Sequence, residues 1–412
     1  MAREMKDSGI EWIGKIPANW QVCKQKHVIE LINGRAYSDD EFEDGGKYRI
    51  LRVGNLFTNP AWYTSSMELD SSKYCEDGDL LYAWSMSYAP VIWHGEKVIY
   101  HYHIWKVDLS ILIDKLFAFY YLKVVTDALM AEKHETTMSF ITMGVMNNSY
   151  IAYPDISDQH RIAAFLDHKC SEIDSVIADT QKTIDEYKAL KQSIITEAVT
   201  KGVRGERKMK DSGVEWIGEV PEEWEVLPHK YVMHKEKNIC EHYTGESILS
   251  LTMNGVIVRD LNAGGKMPTT FDGYQYVEPD DMLLCLFDID VTPRCVGVVH
   301  NCGITSPAYS CFKVHKGFYN AYYDYLLRFI DDEKIFVHLA KNLRSSLTES
   351  DFGAIKTLAP TYEEQLEIAT YLDAKCAEID RLITAKQQLL TELESYKKSV
   401  IYEYVTGKKE VQ

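Results

Sequence analysis

Apolar residues recur along this chain with two different periods, and the change of period marks its parts. Leu166, Ile173, Thr180, Tyr187 and Ile194 interleave with Cys170, Ile177, Ile184, Lys191 and Ala198 in a three-four spacing. A later segment repeats the pattern with Leu372, Ile379, Lys386, Leu393 and Val400 against Cys376, Ile383, Leu390, Lys397 and Tyr404. Sustained heptads with polar residues between them predict two long helices paired through a seam. Its apolar members are Leu166, Ile173, Ile177 and Ile184 on one helix and Leu372, Ile379, Ile383 and Leu390 on the other. Asp155 and Thr361 stand at the N-cap positions, Thr361 with Glu364 as a capping box, and Gly202 and Gly407 stand where each helix should stop.

The segments between the helices alternate with a shorter period and carry β-branched and aromatic residues between Gly, Asp and Asn turns. Strands are predicted at 48–53, 79–84, 91–93 and 99–107, and again at 247–252, 282–287, 295–300 and 309–314, with a helix at 112–131 and at 321–339. The two sets correspond. Met5–Trp20 (MKDSGIEWIGKIPANW) and Met209–Trp224 (MKDSGVEWIGEVPEEW) differ at five of sixteen positions, an offset of 209 − 5 = 204. Ala163–Gly202 echoes Ala369–Lys408 at an offset of 369 − 163 = 206. Long copies at nearly constant offset mean two units with one order of parts, opening motif, variable lobe and long helix. The boundaries read as a lobe over 1–155, a helix region over 156–206, a second lobe over 207–360 and a second helix region over 361–412. Copies related by a pseudo-twofold axis would set the helices antiparallel and make the organisation nearly circular.

Composition narrows the class. A chain of 412 residues with 46% hydrophobic residues has enough apolar surface for two or three real cores. No apolar run approaches the roughly 20 residues of a membrane helix, and the first residues lack the apolar stretch of a signal peptide. Nine cysteines without a Cys-x-x-Cys pair read as reduced thiols, so a cytoplasmic location is expected. The net charge is −17, spread as −6, −2, −6 and −3 over the four segments, so none is a basic domain.

Most sequences that suggest chemistry fail on their context. Asn59-Pro60-Ala61-Trp62 resembles the loop with which amino-methyltransferases grip an amine, but its third residue is wrong and no glycine-rich S-adenosylmethionine loop accompanies it. His101 and His103 would share a face of a strand, as metal ligands do, yet lack acidic or Cys partners at ligand spacing, which leaves base-edge contacts or a wet surface. Cys295, His300 and Cys302 follow no zinc spacing and read as strand packing. Asp39/Asp40 and Asp331/Asp332 read as solvated turn residues, and no phosphate loop is present. No metal site and no catalytic set is expected. A rod joining two related but non-identical lobes suits recognition of two things at a fixed separation. A helix from Leu166 to Thr200 is about 50 Å long, enough to serve duplex segments roughly 34 Å apart.

The repeated Asp-Ser-Gly-Ile/Val-Glu-Trp-Ile-Gly…Pro…Trp motif, with Pro360-x-x-Glu363-Glu364-Gln365-x-x-Ile368-Ala369-x-Tyr371-Leu372-Asp373, resembles the specificity subunits of type I restriction–modification systems. The first copy departs from it with Asp158-Gln159 in place of Glu-Gln, a change expected to matter only for helix capping. The resemblance implies an α+β fold: two strand-rich target-recognition domains joined by two long helices packed as an antiparallel coiled coil. It implies a non-catalytic subunit that reads a bipartite sequence in double-stranded DNA and docks two modification subunits on its helices. S-adenosylmethionine, ATP and Mg would belong to those and to separate restriction subunits. Lacking strong phosphate contacts of its own, each lobe would read bases through a few donors. The candidates are Arg35, Lys47, Arg49, Arg52, Asn55, Tyr88, His101 and His103 in the first lobe. In the second they are Asn254, Arg259, Arg294, Lys341 and Arg344. Two other classes stay open: a methyltransferase-like enzyme with a degenerate site at Asn59, and a structural adaptor that reads nothing.

Overall fold

A computed structural model describes residues 3–85, 87–131, 141–261, 268–340 and 345–411. Lys341 and Arg344 lie outside the described residues. The chain divides into two units, one made of 1–181 with 388–412 and the other of 182–387. The first long helix, Ile156–Lys201, and the second, Tyr362–Val405, therefore each contribute one part to either unit.

Both lobes carry the same two sheets. In the first unit one sheet runs Tyr63–Ser65, Tyr48–Leu51, Val98–Tyr100, Tyr74–Cys75, with a parallel central pair. The other runs Ile29–Asn33, Ile104–Leu109, Leu80–Ala83, Ala89–Ile92 and is antiparallel throughout. The second unit repeats both orders, as Gly255–Val258, Ile248–Thr252, Gly303–Thr305, Gln275–Val277 and as Met233–Glu236, Ser310–Val314, Met282–Leu284, Val296–Val298. Leu51, Leu81, Val98 and Ile104 fill the space between the first unit's sheets. The outer face of the antiparallel sheet packs on the helix Lys115–Ala131 and on the long helices, through Trp105, Phe117, Leu166 and Val400. Each lobe is closed at its base by one strand pair, Gln21–Lys24 with Tyr150–Tyr153 and Glu225–Pro228 with Lys356–Ala359.

The duplicated opening motif is a turn. Asp7 Oδ1 accepts from Gly9 N at 2.9 Å, and Asp211 Oδ1 from Gly213 N at 2.9 Å. Gly9 and Gly14, like Gly213 and Gly218, sit at φ between 66° and 70°, where a side chain would be strained. The short hairpin so formed presents Ile10, Ile13, Ile16 and Trp20 to the core.

Several expectations change. The strand at 99–107 is two strands in different sheets, so His101 and His103 lie on the turn between them and share no strand face. The helix at 321–339 breaks at Lys334, whose φ is 54°, into Asn320–Asp332 and Ile335–Leu339. Asp331 is no solvated turn residue: it is 2% exposed and its carboxylate accepts from Cys295 N at 2.8 Å, while Asp332 pairs with Arg294. Cys295 is buried as strand packing requires, but Cys302 and His300 are exposed. Thr361 caps its helix through Glu364 N at 3.3 Å, yet the Glu364 carboxylate is directed elsewhere, to Trp224 Nε1 at 3.0 Å and Arg207 at 2.5 Å.

That last contact gives the Asp158 departure a consequence beyond capping. Trp20, the counterpart of Trp224, is equally buried and its Nε1 has no hydrogen-bond partner among the described residues, because the shorter Asp158 binds Arg161 instead. Arg3 lies 6.0 Å over Trp20 as Arg207 lies 5.4 Å over Trp224, so the cation is already in place. Asp158→Glu is expected to stabilise the chain by about 1 kcal/mol in equilibrium denaturation, as a regained buried hydrogen bond should.

A second asymmetry sits five residues after each of these tryptophans. Gln25 and His229 are both fully buried at matched positions, and His229 Nδ1 donates to Ile355 O at 2.9 Å. Burial pushes the imidazole down to about 4, partly offset by that hydrogen bond. The unfolded chain takes up a proton near pH 6.5 while the folded one waits until about 4, so stability falls as pH drops through that window. The loss amounts to about 3 kcal/mol at its limit. His229→Gln, which installs the other unit's residue, is expected to remove this part of the acid sensitivity, measured as the difference between two stability–pH curves.

Candidate nucleic-acid interface

The two long helices meet in a seam within each unit. Within the first unit Asp174 pairs with Lys397, both carboxylate oxygens at 2.5 Å; within the second Lys191 pairs with Asp380, both at 2.7 Å. These are one interaction made twice, since 380 − 174 and 397 − 191 are both 206. The register is antiparallel within each unit: Phe165 meets Tyr404 where Asp174 meets Lys397, and Lys191 meets Asp380 where Arg204 meets Glu367. Lys191 and Lys397, two of the three lysines that interrupt the heptads, are therefore ion-pair members. Leu166, Ile173, Ile184, Leu372 and Ile379 are buried, whereas Ile177, Ile383 and Leu390 are half-buried. Each lobe's own helix is tied to the seam by a tyrosine: Tyr120 OH donates to Asp167 at 3.4 Å and Tyr325 OH to Asp373 at 2.8 Å.

In the first lobe the candidate donors separate into bound and available. Arg35 is held by Glu41 at 2.5 Å, and this bond keeps the Glu41 carboxyl down at about 2. Lys47 pairs with Glu68, and Arg49 with Glu96 at 3.1 Å. Asn55 is spent on its own loop, accepting from Arg52 N and donating to Asn59 O and Ala61 O. Asn59 Oδ1 likewise accepts from Ala61 N at 2.9 Å, so that carbonyl is engaged within the turn. Arg52, 5.1 Å over the Tyr63 ring, has no carboxylate partner among the described residues.

Arg52 lies close enough to His101 and His103 to disfavour their charge. Burial first, then His103 and Arg52, push His101 down to about 4; burial and Arg52 lower His103. Both imidazoles are neutral at pH 7, each with one donor and one acceptor. The turn that carries them is fixed from below. Arg35 N donates to Tyr100 O and Tyr102 N to Arg35 O, and a Cβ on Gly34 would lie 2.4 Å from two backbone oxygens. Tyr37, Trp84 and Tyr102 surround the histidines, Trp84 Nε1 donating to Tyr102 O at 2.8 Å. Tyr102 and Trp84 were missed in the sequence; the alternation of aromatic and imidazole at 101–103 was the signal. Tyr88, across the hairpin end from Trp84, lines a groove with Lys123, Asp174 and Lys397.

In the second lobe the turn at the same place in the topology reads Ser306-Pro307-Ala308-Tyr309, and Gln275 Nε2 donates to the carbonyls of Ser306 and Tyr309. Asn254 is at the tip of the hairpin Ile248–Val258, where its N–H donates to Thr252 Oγ1. It shares a groove with Arg294, Arg328 and Lys188, although Arg294 is bound to Asp332 at 3.1 Å. Arg259 is half-buried at the foot of that hairpin, its N–H donating to Ile248 O at 2.7 Å. Among the described residues no cluster of three or more His, Cys, Asp or Glu could hold a metal ion. No helix among them is long and apolar enough to cross a membrane.

Residues 17–175 match the family described as the type I restriction modification DNA specificity domain. The type I restriction enzyme MjaVIII specificity subunit of Methanocaldococcus jannaschii is 27% identical over 224 residues, 53% of this chain and half of that relative. The putative MjaX specificity subunit of the same organism is 25% identical over 435 residues, 96% of this chain and 95% of the relative. A chain from a structural study of complex assembly and conformational transition in the type I R-M system superposes with a TM-score of 0.71. It is 14% identical and covers 96% of this chain and 99% of its own.

The seam pairs make a charge-reversal test. Lys191→Asp sets like charges together and is expected to destabilise the chain by about 1 kcal/mol, while adding Asp380→Lys restores most of the loss. Equal stability of the single and double variants would show that the pair contributes nothing to the register.

Proposed function

We infer that the chain belongs to the specificity subunits of type I restriction–modification systems and serves as their DNA-reading component. The observation that carries this is the duplication: two lobes of identical strand order, each set between the same turn motif and the same long helix. One frame held twice and lined by different side chains is what reading two different half-sequences requires. Residues 1–155 and 207–360 would form the two target-recognition domains, and 156–206 and 361–412 the spacer helices.

The chemistry of reading follows from the donors left over. His101 Nδ1 already accepts from His103 N at 3.4 Å, so His101 offers its Nε2–H to a base edge, His103 offers a donor and an acceptor, and the Arg52 guanidinium offers a fork to guanine. Arg52, His101 and His103 are the proposed readers of the first half-site. In the second, Asn254 and Arg259 are the proposed readers. The bound state of Arg35, Lys47 and Arg49 explains how a lobe of net negative charge can carry basic residues without clamping phosphate. Non-specific affinity would then come from two modification subunits docked on the helices, which would also supply S-adenosylmethionine and the methyl transfer. Restriction subunits would supply ATP- and Mg-dependent cleavage, in a cytoplasmic complex.

Replacing residues 25–149, the insert above the paired base strands, with the corresponding insert of another such subunit should change one half of the methylated sequence. N6-methyladenine mapping in cells expressing the complex reads this directly. A change in both halves, or no sequence-dependent methylation by the wild-type complex, would contradict the reading. Arg52→Ala with His101→Ala is expected to cut methylation at the first half-site at least tenfold, a loss of about 1.4 kcal/mol in recognition. Discrimination at the second half should be unchanged.

A further inference from the structure

The repeat lets each unit serve as a reference for the other, and one matched position is filled in the first and empty in the second. Phe165 and Tyr371 correspond at the offset of 206, as do Ala198 and Tyr404. In the first unit the rings of Phe165 and Tyr404 pack with centroids 4.4 Å apart at 38°. In the second unit the ring is missing because position 198 is alanine. Tyr371 is 38% exposed, and a cavity of about 750 Å³ opens between it, Ala198, Ile194 and Met209.

The cavity has defined walls. Gly202 at its rim has φ of 78°, and a Cβ there would run into Arg207, Glu364 and Trp224, so the chain cannot shift inward to close it. Arg207 on the wall is neutralised by Glu364 at 2.5 Å. Glu197, Glu206 and Glu219 remain against Lys201, an acidic surround beside an exposed aromatic face. The other unit shows what such a site accepts, a tyrosine-sized ring lying on residue 371's counterpart. The three glutamates add that the segment bringing it should be basic.

We propose that this cavity receives an aromatic side chain on a basic segment of a modification subunit, so that the two modification subunits dock unequally. The first unit fills its own position with Tyr404 and offers no such socket. This rests on the reading that modification subunits dock on the helices; what it adds is the socket, the residue type that enters it and the asymmetry.

The test titrates the full chain with modification subunits and counts bound copies by native mass spectrometry. Ala198→Tyr supplies the ring that the other unit already has. Ala198 is itself buried, so heat stability is checked alongside, and the variant is expected to weaken one of the two binding events at least tenfold. Tyr371→Ala removes the ring face without filling the space and is expected to weaken the same event, which keeps the test decisive if Ala198→Tyr disturbs folding. Two equal binding events in the wild type, unaltered in both variants, would overturn the inference. So would self-association of the wild-type chain that Ala198→Tyr abolishes, which would give the socket to a second copy. No wild-type binding of modification subunits at all would overturn instead the function on which the inference rests.

Discussion

One buried glutamine in each unit fixes the lobe to its helix. Gln159 and Gln365 are wholly buried one turn into the long helices. Gln159 Oε1 accepts from Asp114 N, and its Nε2 donates to Leu112 O and Pro154 O; Gln365 Oε1 accepts from Tyr319 N and Nε2 donates to Pro360 O. These are backbone groups of the segment leading into the lobe's own helix and of the residue before the long helix's cap. In a dry site each would cost about 1–3 kcal/mol if left unmet. No other residue has both a donor and an acceptor at that reach, so the glutamine of the duplicated motif is a joint. The tyrosine ties and the seam pairs only work because the joint sets where the lobe helix starts.

The parts legible in the sequence are those governed by local periodicity or by duplication. Heptads located both long helices, and Asp155 and Thr361 are their caps because capping needs only a side-chain oxygen three residues from an amide. What was hidden depends on partners distant in sequence. Nothing near His101 says that its strand ends there to let the chain pass from one sheet to the other. Nothing near Asp331 says that its carboxylate will meet the amide just before a strand, 36 residues earlier. The candidate donors show the same limit: Arg49 and Arg52 look alike in sequence, and only the fold brings Glu96 to the first and leaves the second without a carboxylate among the described residues. The Glu-to-Asp change at 158 looked harmless because its cost falls on Trp20, 138 residues away (158 − 20).

Electrostatics and packing act on different scales in this molecule. The charge of −17 is distributed so that many of the basic side chains named as readers are answered locally by a carboxylate. Such pairs are worth little to stability when exposed. Their consequence is to silence cations that would otherwise bind any phosphate, which leaves selectivity to a few neutral or unpaired donors. Exposed imidazoles would be poor for this purpose; half-burial keeps His101 uncharged over the whole physiological range.

The first unit is assembled from both ends of the chain, and that imposes an order in time. Val400, Ile401 and Val405 are part of its core, Lys408 Nζ donates to Ile13 O and Lys15 O, and Arg161 reaches Val411 O. The second unit, 182–387, is continuous. During synthesis at about 5–20 residues per second, residues 1–181 wait some 10–40 s for 388–412 to be made. Through that interval the apolar face around Trp20 and Leu166 lacks its wall, while the second unit, made in one continuous run, needs nothing beyond residue 387. The nascent chain thus emerges with the half made first as the half completed last, and its exposed strip is the place where a ribosome-associated chaperone would be needed.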